Sequence, residues 1–117
     1  IGFVQPDKLA PYLEQTSVFI LPTHYEHWGV VVHEFAAAGF PLVCSTKTSA
    51  ATFFLHEGKN GFFIEPKSEL SVREALLKVI SCSDEELKKM GEASKREADK
   101  ITPLTWAETV WKILNKS

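Results

Sequence analysis

Cysteine is scarce in this chain of 117 residues. Cys44 and Cys82 are the only two, and they lack the close spacing of a metal knuckle or a redox pair. A disulfide framework and a cysteine-held metal are therefore not expected. Both thiols read as reduced, Cys44 as a small core residue, and a reducing cytosol is the simplest context. No apolar run approaches the length of a membrane span, and no secretory leader is recognisable. Excess charge is absent too. Lys and Arg number 13 against 15 Asp and Glu, for a net charge of -2. Bulk electrostatics thus gives no reason to expect a nucleic-acid partner. Internal repeats, low-complexity segments, a phosphate-binding Gly-rich loop and a Ser-His-Asp order are missing as well.

What is present suits one small soluble domain, with 44% hydrophobic and 24% charged residues. Short apolar runs alternate with helical patterns. Ile1–Val4, Ser17–Leu21, Pro41–Ser45 and Phe62–Ile64 read as strands. A helix beginning near Asp7 or at Pro11, one from about Gly29 to Ala38 and one over Ala50–His56 lie between them. Gly39 would close the second helix as a C-cap, and Asn60-Gly61 is a turn signal. This alternation predicts an α/β fold, a Rossmann-like three-layer sandwich with a parallel sheet and helices on both faces. The last third is helical. Ser71-x-x-Glu74 reads as a capping box, with a start nearer Ser68 as the alternative. Val72, Leu76, Val79 and Ile80 would form that helix's buried stripe. Ser83-x-x-Glu86 and Thr105-x-x-Glu108 are further boxes. Behind the last of them, Trp106, Val110, Ile113 and Leu114 share an apolar face. Lys88-Lys89 and Lys95-Arg96 read as a solvated face, with attraction to an anionic membrane as the weaker reading.

The chemistry concentrates in Pro22–Gly39, a strand–loop–helix unit. Its helix aims free N–H groups at the loop mouth, which favours an anionic or hydroxyl-rich ligand. Gly29 allows close approach to the backbone. Glu26 in the loop and Glu34 inside the helix can each accept two hydrogen bonds from a sugar or ribose diol. Two glutamates eight positions apart are by themselves more often solvated than functional. Val30, Val31 and Val32 are β-branched and mildly resist a helix, a local conflict of the kind found at functional sites. In a parallel sheet, ligands bind beyond the strand carboxyl ends. The loops Pro22–Trp28, Ser45–Ser49 and Glu65–Ser68 would line that edge together. His24, His27 and His33 lie close in sequence without a shared ligand geometry, so they read as polar loop and helix residues, and His56 as a helix-end residue.

The order of Pro22-Thr23, Glu26, Trp28-Gly29, Val30-Val31, Glu34, Ala36-Ala37, Gly39 and Pro41-Leu42-Val43 resembles the signature of retaining glycosyltransferases of the GT-B fold, family 4, the "glycosyl transferases group 1" type. Ile1–Val4 with Leu9, Tyr12 and Leu13, and His56–Pro66, extend the resemblance from Ile1 to about residue 114. It implies the C-terminal, nucleotide-sugar-binding part of such an enzyme, with residues 1–117 forming a single partial domain of a longer protein. The abrupt start at Ile1 agrees with that expectation. By resemblance Glu26 is the catalytic residue facing the donor sugar. Gly29, Val30 and Val31 offer backbone N–H groups to the sugar and diphosphate, and Glu34 holds the ribose. The implied reaction moves a sugar from a nucleoside-diphosphate donor to a glycan or lipid-linked acceptor without a bound metal or other cofactor. The setting would be cytoplasmic polysaccharide or glycolipid synthesis, with room for peripheral association at the inner face of the membrane. The acceptor-binding domain, the basic phosphate-binding pair and the nucleobase pocket are expected upstream, which implies that the isolated chain is inactive. Trp28 stands where the family often has Phe, and Thr48–Thr52 lacks the usual Gly-Gly followed by Glu. A non-catalytic nucleotide-sugar-binding module and a GT-B-fold nucleotide-sugar epimerase are the competing readings. Loss of the first strands of such a sheet would expose an edge, so self-association is also expected.

Overall fold

The computed structural model describes residues 2–115. Three short strands form one parallel sheet in the order β1 (Phe19–Leu21), β2 (Leu42–Ser45), β3 (Gly61–Ile64). Phe19 pairs with Leu42, and Leu42 with Gly61, so the strands start in step. All four residues of β2 are buried, as befits a strand flanked on both edges and covered on both faces.

Alternation along β2 splits the core in two. Leu42 and Cys44 join Val32 and Ala36 of α2 (Val30–Ala37) and Ala50, Ala51 and Phe54 of α3 (Ser49–Phe54). Val43 joins Phe62 and Ile64 of β3 and Ala75 and Val79 of α4 (Glu69–Ile80) on the opposite face. These are the two outer layers of the expected sandwich. The helix α5 (Asp84–Ala98) serves both. Leu87 and Met90 pack on the α4 side, and Ala98 reaches the α2–α3 side. Midway, Gly91 passes so close to Gly39 that a Cβ on it would stand 2.0 Å from the Gly39 carbonyl oxygen. The predicted box at Ser83 is formed, with Glu86 bonding back to the Ser83 N–H at 2.7 Å.

Several sequence expectations are corrected. Gly2–Val4 is not a strand, and Ile1 lies outside the described residues. No described strand lies beside that segment to pair with it, and Phe3 is 87% exposed. Pro6–Lys8 is instead a short 3-10 turn with Asp7 inside it rather than capping, followed by α1 (Ala10–Leu13). The first strand begins at Phe19, not Ser17, and α3 ends at Phe54, two residues before His56. The start near Ser68 prevails over Ser71. The Ser68 hydroxyl caps the Ser71 N–H, and the Ser71 hydroxyl is occupied by the Glu65 N–H. Ala75 takes a place in the buried stripe of α4, while Ile80 is 76% exposed. In α6 (Pro103–Leu114) the cap is Thr102, three residues ahead of the expected Thr105, because Pro103 fits N1. Its apolar face buries no residue among those described.

Candidate functional site

The β1–α2 junction is built by stopping one element and starting another. Pro22 cannot donate to the ladder, and β1 ends at Leu21. The loop that follows rejoins the sheet at one point, a parallel bridge between Glu26 and Thr48. There the Glu26 N–H donates to the Lys47 carbonyl at 3.0 Å, and the Ser49 N–H donates to the Glu26 carbonyl at 3.4 Å. The loop after β2 is in turn tied to the loop after β3. The Thr46 N–H donates to the Ile64 carbonyl at 3.0 Å, and its hydroxyl to Glu65 Oε2 at 2.8 Å. The three loops at the strand carboxyl ends are thus one connected rim, as the βαβ reading expected.

Three helices, α2, α3 and α4, begin at this rim. The Ser68 hydroxyl caps α4, and among the described residues α2 alone has neither a side-chain cap nor acceptors for its first N–H groups. In α3 the Ser49, Ala50 and Ala51 N–H groups donate to the carbonyls of Glu26, Trp28 and Thr48. In α2 the cap is Gly29, held at φ 86°, with no side-chain cap. Among the described residues the N–H groups of Gly29, Val30 and Val31 find no acceptor, and Val30 is 60% exposed. These donors and the positive end of the helix dipole make a place for an anion or a set of hydroxyls. The β-branched run stays helical because burial outweighs a propensity cost of a few tenths of a kcal/mol per residue. Val32 and Ala36, one turn apart, are both fully buried.

Glu26 stands beside these donors, half-buried, with Oε1 accepting from the Trp28 N–H at a long 3.4 Å. A Cβ built on Gly29 would stand 3.0 Å from Thr48 Cγ2 and 3.1 Å from Glu26 Cγ. Only glycine suits both the backbone angle and the space. Trp28 leans on Phe53 with ring centroids 5.4 Å apart, an aromatic wall that the sequence suggested only at Trp28. Glu34 does not join this cluster through any described hydrogen bond. It is exposed, one turn into α2, and borders a separate apolar cavity of about 240 Å³ with Leu9, Leu13, Phe35 and Ala38. The spacing of the glutamates gave no sign of that cavity, because its other wall comes from α1.

The remaining candidates are structural. His33 stacks on Phe54 with centroids 4.5 Å apart, and its Nε2 lies 3.1 Å from the Ala98 carbonyl, joining α2 to α3 and α5. His56, expected at a helix end, follows α3 and lies 3.2 Å from the carboxylate of Glu97. Lys59 and Lys100 share that carboxylate. Lys100 foremost, with His56 and Lys59, holds the Glu97 carboxyl down at about 2 despite the opposing effect of burial. Burial pushes the Cys44 thiol up to about 12. Among the described residues no three His, Cys, Asp or Glu side chains gather to hold a metal. No described helix is long and apolar enough to cross a membrane.

A parallel sheet covered on both faces, with a glycine-capped helix at its carboxyl edge, defines a Rossmann-like domain, and its neighbours in structure share the GT-B fold. It superposes on sucrose-phosphate synthase from Thermosynechococcus elongatus with a TM-score of 0.79 at 18% identity, over 100% of this chain and 30% of that one. TarM gives 0.81 at 18% identity, over 99% of this chain and 23% of the other. The chain belongs to the glycosyl transferases group 1 family, whose profile matches residues 1–97. An uncharacterised glycosyltransferase of Methanocaldococcus jannaschii is 33% identical over 81 residues, 69% of this chain and 20% of that protein. A 2-deoxystreptamine N-acetyl-D-glucosaminyltransferase of Niallia circulans is 26% identical over 80 residues, 68% of this chain and again 20% of the relative. The chain therefore spans about a fifth of the length of these relatives.

Proposed function

We propose that this chain is the donor-binding part of a retaining, metal-independent glycosyltransferase of family 4. The observation that carries the reading is the open amino end of α2, with three N–H groups free of described partners and Glu26 alongside. The diphosphate of a nucleoside-diphosphate sugar takes those N–H groups, which stabilise its charge as it departs. Glu26 accepts hydrogen bonds from the sugar hydroxyls and faces the positive charge that develops at the anomeric carbon. The bond from that carbon to the diphosphate breaks, and a bond to an acceptor hydroxyl forms on the same face. The acceptor's proton leaves with the diphosphate. Glu34 binds the ribose diol at the rim of the apolar cavity that it borders with Leu9, Leu13 and Phe35. The acceptor, a glycan or lipid-linked sugar, is bound by a further domain of the full enzyme. That enzyme works in cytoplasmic polysaccharide or glycolipid synthesis, with peripheral attachment to the inner face of the membrane.

The test is a ligand-observed NMR screen of the 117-residue chain against UDP- and GDP-sugars, repeated on Glu34→Ala. Binding that is lost in the variant supports the ribose role and identifies the base. Binding unchanged in the variant refutes that role. Absence of binding to every donor shows that this half of the site is insufficient alone. The comparison is then made on the full-length enzyme, where donor affinity unchanged by Glu34→Ala refutes the ribose role.

A further inference from the structure

One buried polar atom at the rim has no partner. Thr48 is fully buried, and its Oγ1 makes no hydrogen bond among the described residues. The position makes this unexpected. Thr48 is the N-cap of α3, where a threonine hydroxyl normally accepts from the first turn, yet here the Ala51 N–H goes to the Thr48 carbonyl. An orphaned buried hydroxyl is costly, and such groups are rare enough to need a cause.

The surroundings suggest one. The Thr48 methyl, not its hydroxyl, is turned toward Gly29, standing 3.0 Å from the place of a Gly29 Cβ, and Glu26 Cγ lies 3.1 Å from that same point. The backbones of Glu26 and Thr48 are already bridged. A turn of about 120° around the Thr48 Cα–Cβ bond moves the hydroxyl to another staggered position, the one facing Gly29 and Glu26. The carboxylate there has spare acceptor capacity, since its one described bond is the 3.4 Å contact from Trp28.

We propose that Thr48 is a positioning residue for Glu26. With donor bound, its hydroxyl turns out of its sealed position and donates to the Glu26 carboxylate, fixing that group against the sugar. The free state carries the cost of the orphaned hydroxyl, and the bound state recovers it. The proposal rests on the reading of this edge as the donor site.

The experiment compares wild type, Thr48→Val, Thr48→Ser, Glu26→Ala and the Glu26→Ala/Thr48→Val double variant. Each is measured for urea midpoint and for affinity toward the donor sugar that the wild-type chain binds. Valine keeps the shape and removes the hydroxyl, so Thr48→Val should raise the urea midpoint while weakening donor binding about tenfold, as expected for a lost bond to a charged group. Thr48→Ser should restore near wild-type binding. In the Glu26→Ala background, Thr48→Val should leave affinity unchanged. Unaltered binding by Thr48→Val, or a lowered midpoint, overturns the proposal. A further loss of affinity in the double variant overturns it too, since the hydroxyl would then act on the ligand directly. If the 117-residue chain binds no donor, the same variants are measured in the full-length enzyme. Donor affinity unaltered by Glu26→Ala there overturns the donor-site reading, and affinity lost in Glu26→Ala but kept in Thr48→Val overturns this proposal alone.

Discussion

Replacing Gly29 with alanine tests the construction of the site most directly. Two separate costs are expected. The backbone at φ 86° lies in the left-handed region, which costs a residue bearing a Cβ roughly 1–2 kcal/mol. The added Cβ also stands 3.0 Å from Thr48 Cγ2 and 3.1 Å from Glu26 Cγ, so both must yield by a few tenths of an ångström. Thr48 is fully buried and bridged to Glu26, so it yields poorly, and crowding of this kind costs about 1 kcal/mol. The sum is a loss of about 2–3 kcal/mol. With a urea slope of about 2 kcal/mol per molar, the midpoint should fall by about 1–1.5 M. Gly29→Asn separates the terms, because asparagine tolerates the left-handed region but still carries a Cβ. It should recover the backbone part and remain about 1 kcal/mol below wild type. Both variants displace Glu26 and should lose donor binding in the NMR assay. Alanine at wild-type stability would refute the geometry described for this junction. Full recovery by asparagine would refute the contact with Thr48 and Glu26.

Three further outcomes are expected. Gly91→Ala improves helix propensity by about 1 kcal/mol, yet its Cβ would meet the Gly39 carbonyl oxygen at 2.0 Å and lift α5 off α2, so a net loss of about 2–3 kcal/mol in urea denaturation is expected. A neutral or stabilising result would contradict that helix contact. Glu97 is held near 2 in the folded chain against an ordinary 4.5, so its contribution is fully present above about pH 4.5 and is lost as pH falls toward 2. The stability gap between wild type and Glu97→Gln should therefore close over that window, and a gap independent of pH would exclude the cluster. Cys44 is buried with its thiol raised to about 12. In native protein at pH 8 a thiol reagent should therefore modify Cys82 alone, and both after unfolding. Rapid labelling of two thiols would show that the β2 core is open.

The elements of the fold were legible where one local cause sufficed. β2 is an apolar run buried on both faces, and the Ser83 box is a pattern of two residues. Local patterns failed where two readings competed for one segment. At Ser71 and Thr105 a plausible box was overruled by a better cap three residues earlier, and in one case Pro103 could have shown it. Ile1–Val4 carries strand composition, but a strand is defined by a neighbour, and composition cannot supply one. The apolar residues of α6 do fall on one face, yet among the described residues none of them is fully buried.

The site divides along the same line. Glu26, Gly29, Val30 and Val31 are adjacent in sequence, so a single junction could bring them together, and it does. The pairing of Glu26 with Thr48 spans two βα loops and depends on β1 and β2 lying side by side in register. No spacing rule within either loop predicts it. Glu34 is the converse case. The motif couples it to Glu26, but the helix carries it one turn away to a cavity whose far wall is α1. If the two glutamates hold different parts of one ligand, that ligand must be long enough to pass from the open end of α2 to the α1 side. A nucleoside-diphosphate sugar has its sugar and ribose separated by two phosphates, which in the proposed binding mode take the free N–H groups of α2. A ligand with a single hydroxyl cluster could engage one glutamate only. Separate loss of affinity in Glu26→Ala and Glu34→Ala toward the same donor is therefore a stricter test of the donor reading than either substitution alone.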